Sequence, residues 1–508
     1  MSLLALNVPA RLRAIAARRR HHVALIDESS RVTWGELIDA MDGVAGALLK
    51  AGIASGDRVA IAMEPSSGYV AFVLGALAAG VVPAQVNTRL TPGEAKQFLD
   101  TVDPRFVLAD PVYHDLAEGT GYETVLLEQV SSGLPLRERL GRFGADPVTV
   151  EPADEDAPAI IFATGGTTGT PKGVYYDHRG MWLWMNISAV TNPGDRFDLE
   201  LFFAPFFHIA LGTNLISRLF AGGAVWILRK FDAGNALTAI AEGCTRITGA
   251  PTMFALLRDH PRFAATPRSS MKAIRLGSMA ANPDFVAEVM EHYPEATVRT
   301  GYGATEFGPL IGVEHADILA GRITGIGRPH PGAEVNILRP DGSEAEPGEV
   351  GEFVVRATWQ SRGYWGRPDE TAATYRPEGI HIGDLGFVDE DGWFTISGRL
   401  KEMIISGGEN VFPAEVEDVI RKHPRVRDVI VYGMPDETWG ERVEAGIVPG
   451  DEEPVELEEL REFARAKLAG YKLPKTMRML DEVPLTTVQK PDRRAAREQA
   501  LQPSEVRG

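Results

Sequence analysis

The run Thr164-Gly165-Gly166-Thr167-Thr168-Gly169-Thr170-Pro171-Lys172-Gly173 follows the apolar stretch Ala159–Ala163. Its glycines let backbone amides come close to an anion, its threonine hydroxyls add donors, and Lys172 adds positive charge. Such a loop suits a polyphosphate. It is not a Walker A loop, because Pro171 precedes the lysine and Gly173 stands where Ser or Thr would hold magnesium. The bland alternative is a surface turn. Ten residues of this chemistry after a buried strand are hard to explain as filler.

Four further clusters carry chemistry. Pro205-Phe206-Phe207-His208 follows Leu201–Ala204, so His208 is placed to project from a strand end; taken alone it reads as a core or surface histidine. In Gly301-Tyr302-Gly303-Ala304-Thr305-Glu306 the flanking glycines leave Tyr302 able to stack on a flat base, and Glu306 offers oxygen to a magnesium ion. The same residues read equally well as a tight turn. Ile382-Gly383-Asp384 supplies a carboxylate that can accept both hydroxyls of a ribose, and Arg399 in Gly398-Arg399-Leu400-Lys401 can hold ribose oxygen or phosphate. Alone, the two read as a surface ion pair. Lys490, in Val488-Gln489-Lys490-Pro491, reads alone as a solvated charge.

The elements that must position these groups alternate. Arg58–Met63, Ala159–Ala163, Leu201–Ala204, Val225–Leu228 and Ala273–Leu276 are strand-like and separated by helix-length segments, which predicts α/β layers with largely parallel sheets. Val70–Ala84 is too short for a membrane span and predicts a buried helix leading to a strand. From about Ser397–Lys401 onward the pattern changes. Pro413 opens a helix through Ile420, Val429–Tyr432 and Glu444–Val448 read as strands, and Leu457, Leu460, Phe463, Ala464 and Leu468 lie at helical spacing, giving a small α+β module.

Composition bounds the function. The 508 residues carry 52 basic and 70 acidic side chains, a net charge of −18, so nucleic acid is not an expected partner. One cysteine, Cys244, excludes an internal disulfide and Cys-based metal clusters and reads as a buried small side chain. Arg11, Arg13 and Arg18–Arg20 run into His21 and His22 rather than an apolar core, so no signal peptide is expected, and the chain is expected in the cytoplasm. Oligomeric state is not readable.

In this order, with Thr33-Trp34-Gly35-Glu36-Leu37, Gly249-Ala250-Pro251-Thr252-Met253 and Ser406-Gly407-Gly408-Glu409-Asn410, the clusters resemble the adenylate-forming (AMP-binding) superfamily and, within it, acyl-CoA synthetases and fatty-acid–CoA ligases. The resemblance implies a large N-terminal domain of packed α/β subdomains over 1–398, a hinge over 399–401 with Lys401 as the hinge residue, and a small mobile α+β domain over 402–508. It implies ATP, Mg²⁺ and coenzyme A as cofactor and co-substrates, and two half-reactions: a carboxylate and ATP give an acyl adenylate and pyrophosphate, then a thiol displaces AMP. It implies that Thr164–Lys172, Gly301, Tyr302, Gly303, Thr305, Asp384, Arg399 and Lys490 contact the nucleotide. Lys490, His208, Glu306 and Thr305 would be catalytic, Thr164 and Glu306 would hold the metal, and Ser406, Gly407 and Gly408 would form part of a thiol tunnel.

For the acid pocket the resemblance implies Trp182, Phe207, His208, Gly277, Ser278, Met279 and Gly303, with Trp184, Met185, Leu211, Gly212, Asn214 and Phe307 near them. None is lysine, arginine or acidic, which disfavours dicarboxylates and amino acids and leaves a hydrophobic monocarboxylate: fatty, aromatic or alicyclic. The alternative acceptor is an acyl carrier protein acting in trans; the alternative class is a catalytically degenerate nucleotide-binding relative. Three departures from the family pattern stand out: Gly165 for Ser or Thr, Ile382 for Thr or Ser, and Val488-Gln489 for a Ser-Gly or Thr-Gly pair.

Overall fold

Strands that are apolar on both faces can be satisfied only between layers, and the chain's apolar runs become such strands. The computed structural model describes residues 6–127, 134–148, 150, 154–164, 171–277, 283–450, 454–486 and 491–501. Its contacts divide the chain into two units, Met1–Val335 with Val355–Ile380, and Asn336–Val354 with His381–Gly508. The sequence reading draws the boundary at 398. The division instead gives 381–398 to the second unit, in keeping with the antiparallel pairing of strand Gly379–Val388 with Phe394–Arg399.

The first unit holds a nine-stranded and a seven-stranded sheet. In the larger one, Val23–Asp27, Ala224–Ile227, Leu199–Phe202, Arg246–Gly249, Ala273–Leu276 and Thr297–Ala304 run parallel, and antiparallel strands extend both edges. In the smaller one, Pro158–Thr164, Val82–Gln85, Arg58–Ala62, Val107–Ala109 and Thr124–Leu126 run parallel, with Lys172–Asp177 and Gly363–Tyr364 added antiparallel. The run from Val70 is the buried helix Ser67–Ala78, capped by Ser66 and leading to the strand Val82–Gln85 as expected. Cys244 is buried and free. Among the described residues no helix is long and apolar enough to cross a membrane.

The parallel strands of the larger sheet are tied at their N-terminal ends by buried charge. Glu200 accepts from Arg218 Nε at 3.2 Å and from Thr248 Oγ1 at 3.1 Å, and lies 3.6 Å from Arg246 Nε. Asp198 adds contacts to Arg246, Arg218 and Lys272 at 3.6, 3.9 and 3.3 Å. Asp198, Glu200, Arg218 and Arg246 are all buried.

Two buried histidines make this unit acid-sensitive. Burial lowers His178 to about 4, against the pull of Asp177 and Asp154, and lowers His330 to about 3, with Arg275 adding to the effect. Both rings are neutral when folded and protonate more readily when unfolded. The unfolded chain therefore binds more protons between the folded values and the ordinary 6.5, so stability is complete above 6.5 and drains as pH falls. Across its own window His178 is worth roughly 3 kcal/mol and His330 roughly 5 kcal/mol. Thermal unfolding at pH 6.5, 5.5 and 4.5 is expected to show a falling midpoint, and His330→Leu is expected to flatten the fall. An unchanged slope in that variant would contradict the assignment.

In the second unit, strands Ile404–Ser406, Glu409–Val411, Gly440–Pro449, Val426–Asp436 and Thr476–Met479 form one sheet. Helices Pro413–Ile420 and Leu457–Arg465 contribute Val416, Ile420, Leu460 and Ala464 to a core with Val429, Val431, Val443 and Ile447. This is the α+β module expected from the spacing. Leu468 joins the same core from just beyond the second helix.

Candidate active site

The strands on either side of the glycine-threonine loop are antiparallel partners. Thr164 stands opposite Lys172, and its hydroxyl donates to the Lys172 carbonyl at 3.4 Å. Gly165, Gly166, Thr167, Thr168, Gly169 and Thr170 lie outside the described residues. Pro171 is buried, and Lys172 leads the returning strand. The Lys172 ammonium lies 2.9 Å from Glu370 Oε2 and 4.6 Å from the centre of the Tyr364 ring.

Gly301 to Ala304 is the end of a strand, not a turn. Thr297–Ala304 pairs antiparallel with Gly308–Val313, Gly301 opposite Gly312, and a bulge falls between Tyr302 and Gly303. Both glycines have a steric reason. A Cβ on Gly301 would come within 2.7 Å of the Arg275 guanidinium, and one on Gly303 within 2.2 Å of the Gly308 carbonyl. Tyr302 is half-buried, its ring 6.1 Å from that of Phe307.

The turn that follows is clamped through its carbonyls. Tyr176 Oη donates to Thr305 O at 2.8 Å, Ser361 N and Oγ donate to Glu306 O at 3.0 and 2.7 Å, and Trp359 Nε1 donates to Phe307 O at 2.7 Å. Tyr364 Oη donates to Glu306 Oε1 at 2.8 Å. Burial, with the Glu306 charge nearby, raises the pKa of Tyr176, Tyr364 and Tyr375, so all three phenols stay protonated. Sequence reasoning missed Tyr176, Trp359, Ser361, Tyr364 and Glu370. The only signal in reach was the Gly363-Tyr364-Trp365 run, because Tyr364 meets Glu306 across 58 residues.

Phe207 and His208 follow the strand Leu199–Phe202. His208 is half-buried and its Nδ1 accepts the Ala210 N–H at 3.2 Å, which puts the proton of the neutral ring on Nε2. Phe207 is buried, with Arg89 5.9 Å from its ring centre. Gly277 follows the strand Ala273–Leu276, and a Cβ there would meet no described atom within 4 Å. Ser278 and Met279 lie outside the described residues. Trp182 and Trp184 sit two apart on helix His178–Thr191, about 200° around its axis. Trp184 is fully buried against Tyr176, Phe162 and the backbone of Gly212, whereas Trp182 packs edge-on against Phe220, 4.9 Å away. The contact shown for Trp182 is therefore a packing contact with helix Ser217–Phe220.

In the second unit, Asp384 and Arg399 are cross-strand partners, Arg399 Nε 2.9 Å from Asp384 Oδ1, with the carboxylate buried and the guanidinium half exposed. Lys401 is exposed in the turn after Arg399. Ser406 pairs with Glu409 across Gly407 and Gly408, whose φ values of 63° and 84° are those of a tight hairpin loop that favours glycine. A Cβ on Gly407 would also strike the Trp439 ring. Lys490 lies outside the described residues. The chain on either side is pinned: Leu485 bridges to Pro491, and Arg493 donates to Glu402, Glu417 and the Val431 carbonyl at 2.8, 2.7 and 3.1 Å.

Residues 12–365 match the AMP-binding enzyme model and residues 415–490 the AMP-binding enzyme C-terminal domain model. A feruloyl-CoA synthase of an Amycolatopsis species is 33% identical over 471 residues, covering 92% of this chain and 93% of that protein. The fatty acid–(acyl-carrier-protein) ligase ScoC of Streptomyces coeruleorubidus is 30% identical over 479 residues, covering 91% and 90%. The solved o-succinylbenzoate CoA synthetase of Bacillus subtilis, in complex with its acyl-adenylate intermediate, superposes with a TM-score of 0.84 at 28% identity, covering 97% of this chain and 98% of that one. The chain belongs to the AMP-binding enzyme family, among its AMP-forming acid–thiol ligases.

Proposed function

We propose that this enzyme activates a hydrophobic monocarboxylic acid (fatty, aromatic or alicyclic) with ATP and transfers the acyl group to coenzyme A in the cytoplasm. The observation that carries the reading is the Glu306 carboxylate held on Tyr364 beside the Lys172 ammonium, at the end of a parallel-strand sheet. That is an anion-binding cation and a hard-cation ligand in one place. Ligands in such sheets bind at the carboxyl ends of the strands.

A carboxylate resists attack by a thiolate until it carries a leaving group, which the mixed anhydride with AMP supplies. The loop ending at Lys172 cradles the outer phosphates, Tyr302 stacks on adenine, Asp384 takes the ribose hydroxyls and Arg399 reaches ribose or phosphate. Lys490 screens the two anions that meet when the carboxylate attacks the α-phosphate, and His208 lines the acid pocket. The donor set suits Mg²⁺: among the described residues no cluster of three or more metal-ligating side chains exists, and Mg²⁺ is usually held by one or two carboxylates together with substrate phosphates. Glu306 and the Thr164 hydroxyl would hold it, and when bound it supplies neutralising charge to the phosphate oxygens. After adenylation residues 402–508 turn about Lys401, bringing Ser406, Gly407 and Gly408 to the thiol path.

The hydrophobic acid is supported by Phe207 and by a feruloyl-CoA synthase and a fatty-acid ligase among the relatives. The test is acid-dependent pyrophosphate release over a panel of fatty, aromatic and alicyclic acids, with and without coenzyme A. Faster turnover with coenzyme A and an acyl-CoA product are expected. The relative ScoC keeps a second reading alive, in which pyrophosphate forms, coenzyme A has no effect and a carrier protein accepts the acyl group. No acid-dependent pyrophosphate at all would sink both.

A further inference from the structure

The Tyr364 side chain stands between two groups that ATP activation uses for different purposes. Its hydroxyl donates to Glu306 Oε1 at 2.8 Å, and its ring carries the Lys172 ammonium 4.6 Å from its centre. The residue is itself well held. It is 7% exposed, its backbone pairs antiparallel with Val174, its N–H donates to Thr371 Oγ1 at 3.0 Å, and its ring meets that of Tyr375 edge-on at 5.8 Å. The next N–H, of Trp365, donates to Gly173 O at 2.7 Å. Tyr364 and Lys172 therefore hang from the same pair of strands, and the Glu306 backbone is fixed separately by Ser361.

A glutamate side chain has several rotamers, and a charge-assisted hydrogen bond to one oxygen selects among them. An ammonium within about 6 Å of an aromatic centroid is attracted to the ring face. We propose that Tyr364 is a positioning residue that sets the Glu306 carboxylate and the Lys172 ammonium in one register, so that metal and outer phosphates are received together. The proposal rests on the ATP-dependent function proposed above. Hydroxyl and ring act separately: the first orients the metal ligand, the second orients the phosphate cation. Glu370, 2.9 Å from the ammonium, also holds Lys172 and would be the group the phosphates displace.

The full-length protein and its Tyr364→Phe and Tyr364→Leu variants are compared by calorimetry for binding of Mn²⁺·ATP, of ATP in chelator, and of AMP. Phenylalanine keeps the ring and loses the donor. Its affinity for Mn²⁺·ATP is expected to fall about tenfold, as for a lost hydrogen bond to a charged group, with chelated ATP and AMP within about twofold of the parent. Leucine loses the ring too, and is expected to weaken chelated ATP about threefold or more while sparing AMP. AMP binding is the control for folding. A phenylalanine variant that binds Mn²⁺·ATP within twofold of the parent overturns the proposal and leaves the function standing. So does an equal loss for all three ligands. A parent protein that binds no nucleotide overturns the function and the proposal together.

Discussion

Replacing Lys490 by alanine is expected to cut acid-dependent pyrophosphate release about 10²–10³-fold, the usual cost of removing one preorganised charge from a transition state. Thioester formation from acyl adenylate supplied ready-made is expected to survive largely intact. The asymmetry follows from chemistry. In the proposed function the first half-reaction pushes a carboxylate against a phosphate and the lysine would screen that repulsion, whereas the second starts from a neutral acyl carbon. Single-turnover assays of each half separate the two. Equal loss in both halves would contradict the role given to Lys490 and point to a general effect on the nucleotide site.

The largest expected effect on stability lies elsewhere. Glu200 is 1% exposed, contacts Arg218 at 3.2 Å and lies 3.6 Å from Arg246, and both arginines are themselves buried. Glu200→Ala removes one of the two carboxylates that serve these guanidiniums, leaving Asp198 at 3.6 and 3.9 Å. Breaking a buried ion pair from one side typically costs about 3–5 kcal/mol, because the partner charge stays buried without compensation. Burial, with Arg218 nearby, lowers the pKa of Arg246, and Glu200 and Asp198 oppose that, so Glu200 is one of the two charges that offset the burial. Urea unfolding is expected to show a loss of unfolding free energy of that size, read as a lowered midpoint at unchanged m. A loss below about 1 kcal/mol would mean that water or Asp198 takes over.

What the sequence disclosed about the fold is what local pattern can encode. Ala273–Leu276 is a strand over the same residues in reading and structure, because Ala273, Ile274 and Leu276 are apolar and buried, with Arg275 the one charged residue among them. Leu201–Ala204 shifted to Leu199–Phe202; the chain leaves the sheet ahead of Pro205, which has no N–H to give a ladder. Gly301–Ala304 could not be told from a turn, since what makes glycine necessary there is Arg275 lying over the backbone from a neighbouring strand. Trp182 and Trp184 look alike in composition, and only the helix phase separates the core residue from the one packed on Phe220. Tyr364 was illegible for a related reason. Its partners Lys172 and Glu306 are near it only because a short strand adds to the edge of a sheet.

The larger sheet also has unlike ends. Asp198, Glu200, Arg246 and Lys272 gather where its parallel strands begin, while His208, Gly277 and Tyr302 to Glu306 lie where those strands finish. On the proposed function, the two jobs of anchoring and recognising would fall to residues at opposite extremes of the same strands. Loops at the finishing end can be lengthened, shortened or exchanged without disturbing the ions that secure the beginning. A scaffold so divided lends itself to acquiring new acids by loop replacement, and a library confined to the segments after Phe202, Gly249 and Leu276, with the buried Phe203 and Phe206 kept, would explore specificity away from those ions.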